Sequence, residues 1–321
     1  MTSKRVLLTG ASGFVGSRLH PLLVQNGWDV RGLTRDVTKA RAADPDRVWV
    51  EGDVHDAATL GAALEGCDAA CYLVHEMGGS GDFAEREAGA ARNFANAAQA
   101  AGLSRVLYLG GVMPPADVPA SEHLKSRAHV GEILRKGKVP VLELRASMII
   151  GPGSLSYVIV RDLAARLPFM ILPRWLDSRT EPVAIDDVLV AIVRGLEMPL
   201  PESMALDLPG PEILSGREIL LRTAAALGLR RPAFVRVPVL TPRLSSFWVR
   251  FVTRAEWRVA REIVVGLTSD LLARDRSYWN RIGHGELVPF DAAVRAAEAG
   301  QEPPRGSWSR MEQWMKRYRS R

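Results

Sequence analysis

The sequence predicts an α/β fold, a doubly wound parallel sheet with a smaller C-terminal lobe, and three observations carry that expectation. Short apolar runs alternate with helical periodicities from residue 5 to about residue 145; a glycine run joins the first strand to the first helix; prolines punctuate the chain after residue 151. Strands that alternate with helices at this pitch need crossovers, which are right-handed and cover both faces of a parallel sheet.

Residues 5–9 read as the first strand, leading into the turn Thr9-Gly10-Ala11-Ser12-Gly13-Phe14-Val15-Gly16. Leu19, Leu22 and Leu23 then recur at helical spacing until Asn26-Gly27 stops them. Further strands are predicted over 28–34, 48–51, 69–74, 105–109 and 139–145. An alanine-rich helix spans 82–101, closed by Gly102, and another runs from Ser121 to Gly137. Later, Ile185, Val188, Leu189, Ile192, Val193 and Leu196 form the stripe of a helix packed on a core. A helix near 215–227 ends at Gly228. Three parts are expected: a nucleotide-binding domain over 1–150, a mixed segment over 151–255 contributing to the sheet and a substrate lobe, and a helical tail over 256–321. The tail holds Trp257, Trp279, Trp308 and Trp314 among many arginines.

In 321 residues, 47% are hydrophobic and 24% charged, which supports a full core and excludes wholesale disorder. The formal charge is +6, and only six of the 42 basic residues are lysine. The arginines are dispersed without a basic stripe, so no nucleic-acid partner is expected. Cys67 and Cys71 are too far apart along an extended run, about 13 Å, to form a disulfide. With no secretory leader pattern and no apolar run near 18 residues, no transmembrane segment is expected and the chain reads as cytoplasmic.

A G-x-x-G-x-x-G run that follows a strand and opens a helix has a mechanism. The glycines give a tight turn and let backbone N–H groups reach a pyrophosphate at the helix N-terminus. Thr9, Gly10, Ser12, Gly13, Phe14, Val15 and Gly16 are the expected cofactor residues, with Val54 after the third strand and Leu73 and Val74 at the end of the fourth. At the end of the second strand an acid would hold the ribose hydroxyl of NAD, whereas an arginine would accept the extra phosphate of NADP. Arg35 stands there, with Lys39 and Arg41 behind it, and predicts NADP; Asp36 keeps NAD as the alternative. Asp53 either borders the adenine or is a turn residue ahead of the helix at Asp56.

The Thr-Gly-x-x-Gly-x-x-Gly run, Gly52-Asp53-Val54, and Leu144-Arg145 leading to Gly151-Pro152-Gly153 together resemble the short-chain dehydrogenase/reductase superfamily, with the glycine spacing of its extended branch. That superfamily uses Tyr-x-x-x-Lys and a serine after the fifth strand. Here the strand ends Tyr108-Leu109-Gly110-Gly111-Val112, and the next helix offers His123-Leu124-Lys125-Ser126-Arg127. His-x-x-x-Arg is similar to one atypical subgroup of NAD(P)-binding proteins of largely unassigned function. The resemblance covers residues 4–250 and implies NAD(P)-linked redox chemistry. It also extends to non-catalytic relatives: the NmrA-like regulators and the Rossmann subunit of respiratory complex I.

Residues four apart on a helix share a face, so His123 and Arg127 can both reach a bound nicotinamide and its ribose. His123, with an ordinary pKa of about 6.5, is the expected proton donor to a reduced carbonyl, and Arg127 the ribose or phosphate contact. The alternative makes both residues surface or cofactor contacts. For a small organic substrate, His75, Met113, Met148, Tyr157 and Trp175 are candidate contacts, and Arg161, Arg174 and Arg179 candidate anion contacts. Arg145 is expected to pair with a carboxylate, and Asn93 to bond neighbouring backbone.

Overall fold

The computed structural model describes residues 4–75, 83–166, 169–172, 174–229, 233–236, 269–301, 309–310 and 312–313, with the backbone described at 169–172, 174–175 and 233–236. The first half alternates strictly: β1 (Arg5–Leu8), α1 (Gly16–Gln25), β2 (Asp29–Thr34), α2 (Val37–Ala43), β3 (Val48–Glu51), α3 (Ala57–Leu64), β4 (Ala69–Tyr72), α4 (Phe83–Ala100), β5 (Arg105–Gly111), α5 (Glu122–Lys136) and β6 (Val141–Ala146). After β6 come β7 (Met148–Ile150), α6 (Leu155–Arg166), β8 (Phe169–Leu172), β9 (Arg179–Thr180), β10 (Pro182–Ala184) and α7 (Ile185–Glu197). Next are β11 (Met204–Asp207), β12 (Leu214–Ser215), α8 (Gly216–Ala226), β13 (Ala233–Arg236), α9 (Tyr278–Arg281) and α10 (Phe290–Ala299).

Seven strands pair in parallel in the order β11-β6-β5-β4-β1-β2-β3. This is the doubly wound sheet that the alternation predicts. One face is covered by α1 and α7, whose Leu19, Leu23, Val188, Ile192 and Leu196 pack on Leu8, Leu107 and Leu144. The other is covered by α3, α4 and α5, where Leu60, Ala91, Phe94, Val130 and Leu134 meet Leu7, Tyr72, Tyr108 and Val141. A further core joins β7 and β10 to α6, α8 and α10 through Ile150, Val160, Ala184, Leu220, Phe290 and Val294.

Local chemistry fixes where the helices start. Asp36, Asp56 and Ser121 accept backbone N–H groups at the first turns of α2, α3 and α5, each worth about 1 kcal/mol, and Ser215 with Glu218 forms a capping box on α8. The start of α1 has no side-chain cap and no acidic residue in its first turn.

β4 stops at Tyr72, two residues before the expected end, because the Thr9 hydroxyl accepts the Leu73 N–H at 3.0 Å where a ladder carbonyl would be needed. β5 runs two residues further than expected, to Gly111, since β6 offers it partners as far as Ala146. In the tail, the Tyr278 hydroxyl donates to the Ala191 carbonyl at 2.6 Å and Trp279 Nε1 to Pro209 at 2.9 Å, so α9 is part of the main core. Trp257, Trp308 and Trp314 lie outside the described residues. No helix among the described residues is long and apolar enough to cross a membrane.

Two buried acids hold the segment before α9 to the sheet. Asp207, at the end of β11, accepts from Arg145 Nε at 2.7 Å and from the Arg274 N–H at 2.7 Å, while Glu181 accepts from the Ala273 N–H and the Arg276 guanidinium.

Candidate active site

The carboxyl ends of β1, β2, β4 and β5 open into a cleft of about 890 Å³ that continues between α5 and α6. Gly10 sits at φ 62°, and a side chain there would press on the Leu73 carbonyl at 3.0 Å. A Cβ on Gly16 would lie 2.2 Å from the Gly10 carbonyl, so α1 can start this close to the turn only on glycine. Ser12, Gly13, Phe14, Val15 and Gly16 line the cleft. No side chain covers the helix start; the Ser17 and Arg18 N–H groups bond the Gly13 and Val15 carbonyls, and the N–H groups of Phe14, Val15 and Gly16 ahead of them can meet an anion, which fits a dinucleotide pyrophosphate. Thr9 does not face the cleft. It is fully buried and staples β1 to β4, its hydroxyl donating to the Cys71 carbonyl at 3.2 Å as well as accepting from Leu73.

Beyond β2, Arg35 and Lys39 edge the cleft. Asp36 also reaches it, but its carboxylate accepts the Lys39 N–H at 2.9 Å as the cap of α2. Asp53 lines the cleft, and its Oδ1 accepts the His55 N–H at 3.0 Å in a local turn. Val54 lies beside it, and Asn93 donates to the Val54 and His55 carbonyls at 3.3 and 3.2 Å, fixing this wall to α4. Leu73, Val74 and His75 form the opposite wall.

Side chains crowd the two glycines at the end of β5. A Cβ on Gly110 would meet Glu143 Oε1 at 2.8 Å, and one on Gly111 would lie 3.2 Å from Leu124 Cδ2 and 3.7 Å from Arg127 Nε. Arg127 fills that room: its Nη2 donates to the Leu109 carbonyl at 2.6 Å, and its Nε is buried without a hydrogen-bond partner. The Tyr108 hydroxyl donates to the Arg127 carbonyl at 2.9 Å, locking α5 to the sheet one turn after His123. On the far side of α5 the Ser126 hydroxyl donates to the buried Glu87 carboxylate of α4. Glu143, beneath Gly110, is 2.7 Å from Arg135 Nε in an ion pair outside hydrogen-bonding alignment, and burial raises its pKa against the pull of that cation.

His123 and His75 face each other across the cleft, ring centroids 6.0 Å apart. Burial and then the Arg127 cation push the His123 pKa down to about 4, so the ring is neutral at pH 7 in the cofactor-free state. His75 lines the cleft and is exposed. Loss of water on its protein side and the neighbouring Arg127 cation both push its pKa down.

Of the expected substrate contacts, Met148 lines the cleft. Tyr157 does not: it is fully buried, its hydroxyl 3.4 Å from both the Val294 carbonyl and Glu298 Oε2, because this face of α6 packs on α10. Met113 is not among the cleft-lining residues, since the chain leaves the sheet after Gly111. The side chains of Trp175 and Arg174 lie outside the described residues. Arg161 is no anion contact; it is buried against Glu298 at 3.0 Å, Asp162 at 3.4 Å and Glu312. Arg179 pairs with Asp270 at 2.7 Å, and Arg145 with Asp207 as expected. Sequence reasoning missed Leu155, Ile159, Val160 and Leu271 as walls. The first three share the helical spacing of α6, a usable signal, whereas nothing local marks Leu271.

The uncapped helix start above a parallel sheet, with the glycine turn beneath it, defines a dinucleotide-binding α/β protein. Residues 10–164 match the NAD(P)H-binding family model, and the chain contains an NAD(P)-binding Rossmann domain. Cinnamoyl-CoA reductase 1 of Oryza sativa subsp. japonica is 32% identical over 111 residues, covering 32% of this chain and 33% of that protein. The ceramide reductase of Caulobacter vibrioides is 26% identical over 240 residues, 73% of each chain. Among solved structures, triphenylmethane reductase of Citrobacter sp., complexed with NADP(H), superposes with a TM-score of 0.70 at 17% identity, covering 91% of this chain and 99% of that one. The match to the rice protein spans a third of its length, and the likeness to the Citrobacter structure is one of fold.

Proposed function

We propose that the protein is an NADPH-dependent reductase of a small organic substrate, with His123 as the proton donor. The observation that carries this reading is the convergence of His123, His75 and Arg127 on the cleft at the ends of β4 and β5, beyond the glycine turn. Reduced nicotinamide supplies a hydride to an acceptor carbon when it is bound. As the carbon gains that hydride, the electron pair of the C=O bond moves to oxygen, and His123 delivers the proton that the oxygen takes up. Burial and Arg127 favour the neutral imidazole, so the donor role requires an anion in the loaded cleft to raise the His123 pKa toward neutrality, as a nearby negative charge does. Arg127 orients the site by holding the end of β5 and cannot itself exchange protons.

NADP is favoured over NAD because Arg35 reaches the cleft while the competing acid, Asp36, is engaged as a helix cap. A cytoplasmic setting is supported by the two buried free thiols, Cys67 and Cys71.

Turnover of NADPH by purified protein across a panel of ketones, aldehydes and enones tests the reading, and reduction of at least one class is expected. The glycines at the end of β5, where relatives carry a serine, favour a second reading as a dinucleotide-binding regulator. That reading takes over if nothing on the panel is reduced while NADPH changes affinity for a protein partner.

A further inference from the structure

The far end of the cleft differs in chemistry from its cofactor end. Past His123 the walls are Met148, Ile149, Leu155, Ile159, Val160 and Leu271, with Ile159, Val160, Met148 and Leu271 buried. Polar groups do reach this region, but their hydrogen-bonding capacity is directed into the protein. The Ser154 hydroxyl donates to the Ile149 carbonyl at 2.6 Å, and Ser156 lies 3.0 Å from Ser154 and 3.4 Å from the same carbonyl. Ser147 donates to the Glu181 carbonyl at 3.0 Å, and Ser121 caps α5.

The cations follow the same pattern. Among the described residues that line the cleft, the arginines and lysines are Arg35 and Lys39 at the cofactor end and Arg127 beside the two histidines, none of them on the α6 wall. Among the described residues, arginines outside the cleft lining on this side of the molecule are paired: Arg161 with Glu298, Asp162 and Glu312, Arg179 with Asp270, and Arg276 with Glu181. A charged group carried into this end would lose its water without gaining a partner. Among the described residues, the side chains at the inner boundary that can meet a substrate oxygen are the two imidazoles, of which His75 already bonds the Leu73 backbone.

We infer that the cleft takes an uncharged, mostly apolar acceptor bearing one carbonyl, whose oxygen lies between His75 and His123 and whose body lies along α6. This rests on the reductase reading and narrows it. Carboxylate-bearing compounds and nucleoside-diphosphate sugars fall outside the class, because each brings a charge to a wall of Leu, Ile, Val and Met side chains.

Saturation-transfer NMR on protein loaded with oxidised NADP reads binding without turnover. The probes are benzylacetone, its para-carboxylate analogue and UDP-glucose. Benzylacetone is expected to bind, the carboxylate at least tenfold more weakly, and UDP-glucose not at all. Tighter binding of the carboxylate or of UDP-glucose, or failure of benzylacetone and its longer-chain ketone homologues to bind, overturns the inference. Leu155 is half-buried at the first position of α6, so Leu155→Arg tests the wall with little risk to the fold. It is expected to move preference at least tenfold toward the carboxylate, and an unchanged preference in the folded variant counts against the assignment. Ketones that bind yet are never reduced with NADPH would remove the reductase reading and leave the ligand class standing. Reduction of charged substrates would do the reverse.

Discussion

The Arg127 guanidinium donates to the Leu109 carbonyl at 2.6 Å, folded across the end of β5 in the room that Gly111 leaves. A cation held there acts on both cleft histidines. Arg127→Ala should therefore raise the protonation midpoint of His123 from about 4 toward its ordinary value, with His75 following. Histidine C–H resonances followed by NMR against pH measure this. Unshifted midpoints would show that burial alone sets them.

The same depressed values make the protein sensitive to acid. The unfolded chain binds protons at His75 and His123 near pH 6.5, whereas the folded one binds them only at lower pH, near 4 for His123, so the stability they affect is flat above about pH 6.5 and falls as pH drops below it. In the double variant His75→Gln, His123→Gln, the loss of Tm between pH 7 and pH 4.5 should be smaller than in the unmutated protein. Equal losses would assign the acid sensitivity to other groups.

Arg35 reaches the cleft and Asp36 caps α2. A charge-assisted contact of about 1.5–3 kcal/mol makes Arg35→Glu cost roughly 10- to 150-fold in NADPH affinity while NADH changes little. Calorimetric titration of both cofactors decides this. Equal affinities of the unmutated protein for the two would sink the assignment.

Two glycines of the turn should fail in different ways. A Cβ on Gly16 meets the Gly10 carbonyl at 2.2 Å, so Gly16→Ala must displace α1 and should lower Tm as well as cofactor affinity. A Cβ on Gly13 meets that carbonyl at 3.1 Å, a tight contact with room to adjust, so Gly13→Val should stay folded and lose the cofactor. Circular dichroism and quenching of tryptophan fluorescence by NADPH separate the two outcomes.

His123→Ala should lower turnover about 10²- to 10⁴-fold with little change in NADPH affinity, as expected for loss of a general acid. The profile of kcat, which reports the loaded enzyme, should fall on the alkaline side as the imidazolium is lost. Full activity in this variant would exclude His123 as donor.

The cofactor end of the cleft is legible in the sequence because its parts are local: a strand, a glycine turn and a helix follow one another within residues 5–25. The helix stripe of α7 is legible for the same reason. The substrate end is assembled over long distances. Arg161 looks like a free cation until Glu298 and Glu312 arrive from 137 and 151 positions away. Tyr157 and Ile159 belong to one apolar helix, and periodicity alone does not say which of them faces the cleft and which faces α10. The glycines at the end of β5 are visible in the sequence, but the Glu143 and Leu124 side chains that crowd them are brought there by the tertiary structure.

The seventh strand has a consequence for how the molecule can be divided. β11 enters the sheet some sixty residues after β6, and its Asp207 answers the charge of Arg145 while binding the backbone of Arg274 and Asp275. A fragment ending at residue 150 would keep every glycine of the nucleotide turn and still leave β6 as a raw edge, with an unanswered arginine on it. Such an edge invites pairing with another chain. Fragments made to isolate the nucleotide-binding half should therefore aggregate, and a split that respects the sheet has to carry β11 along.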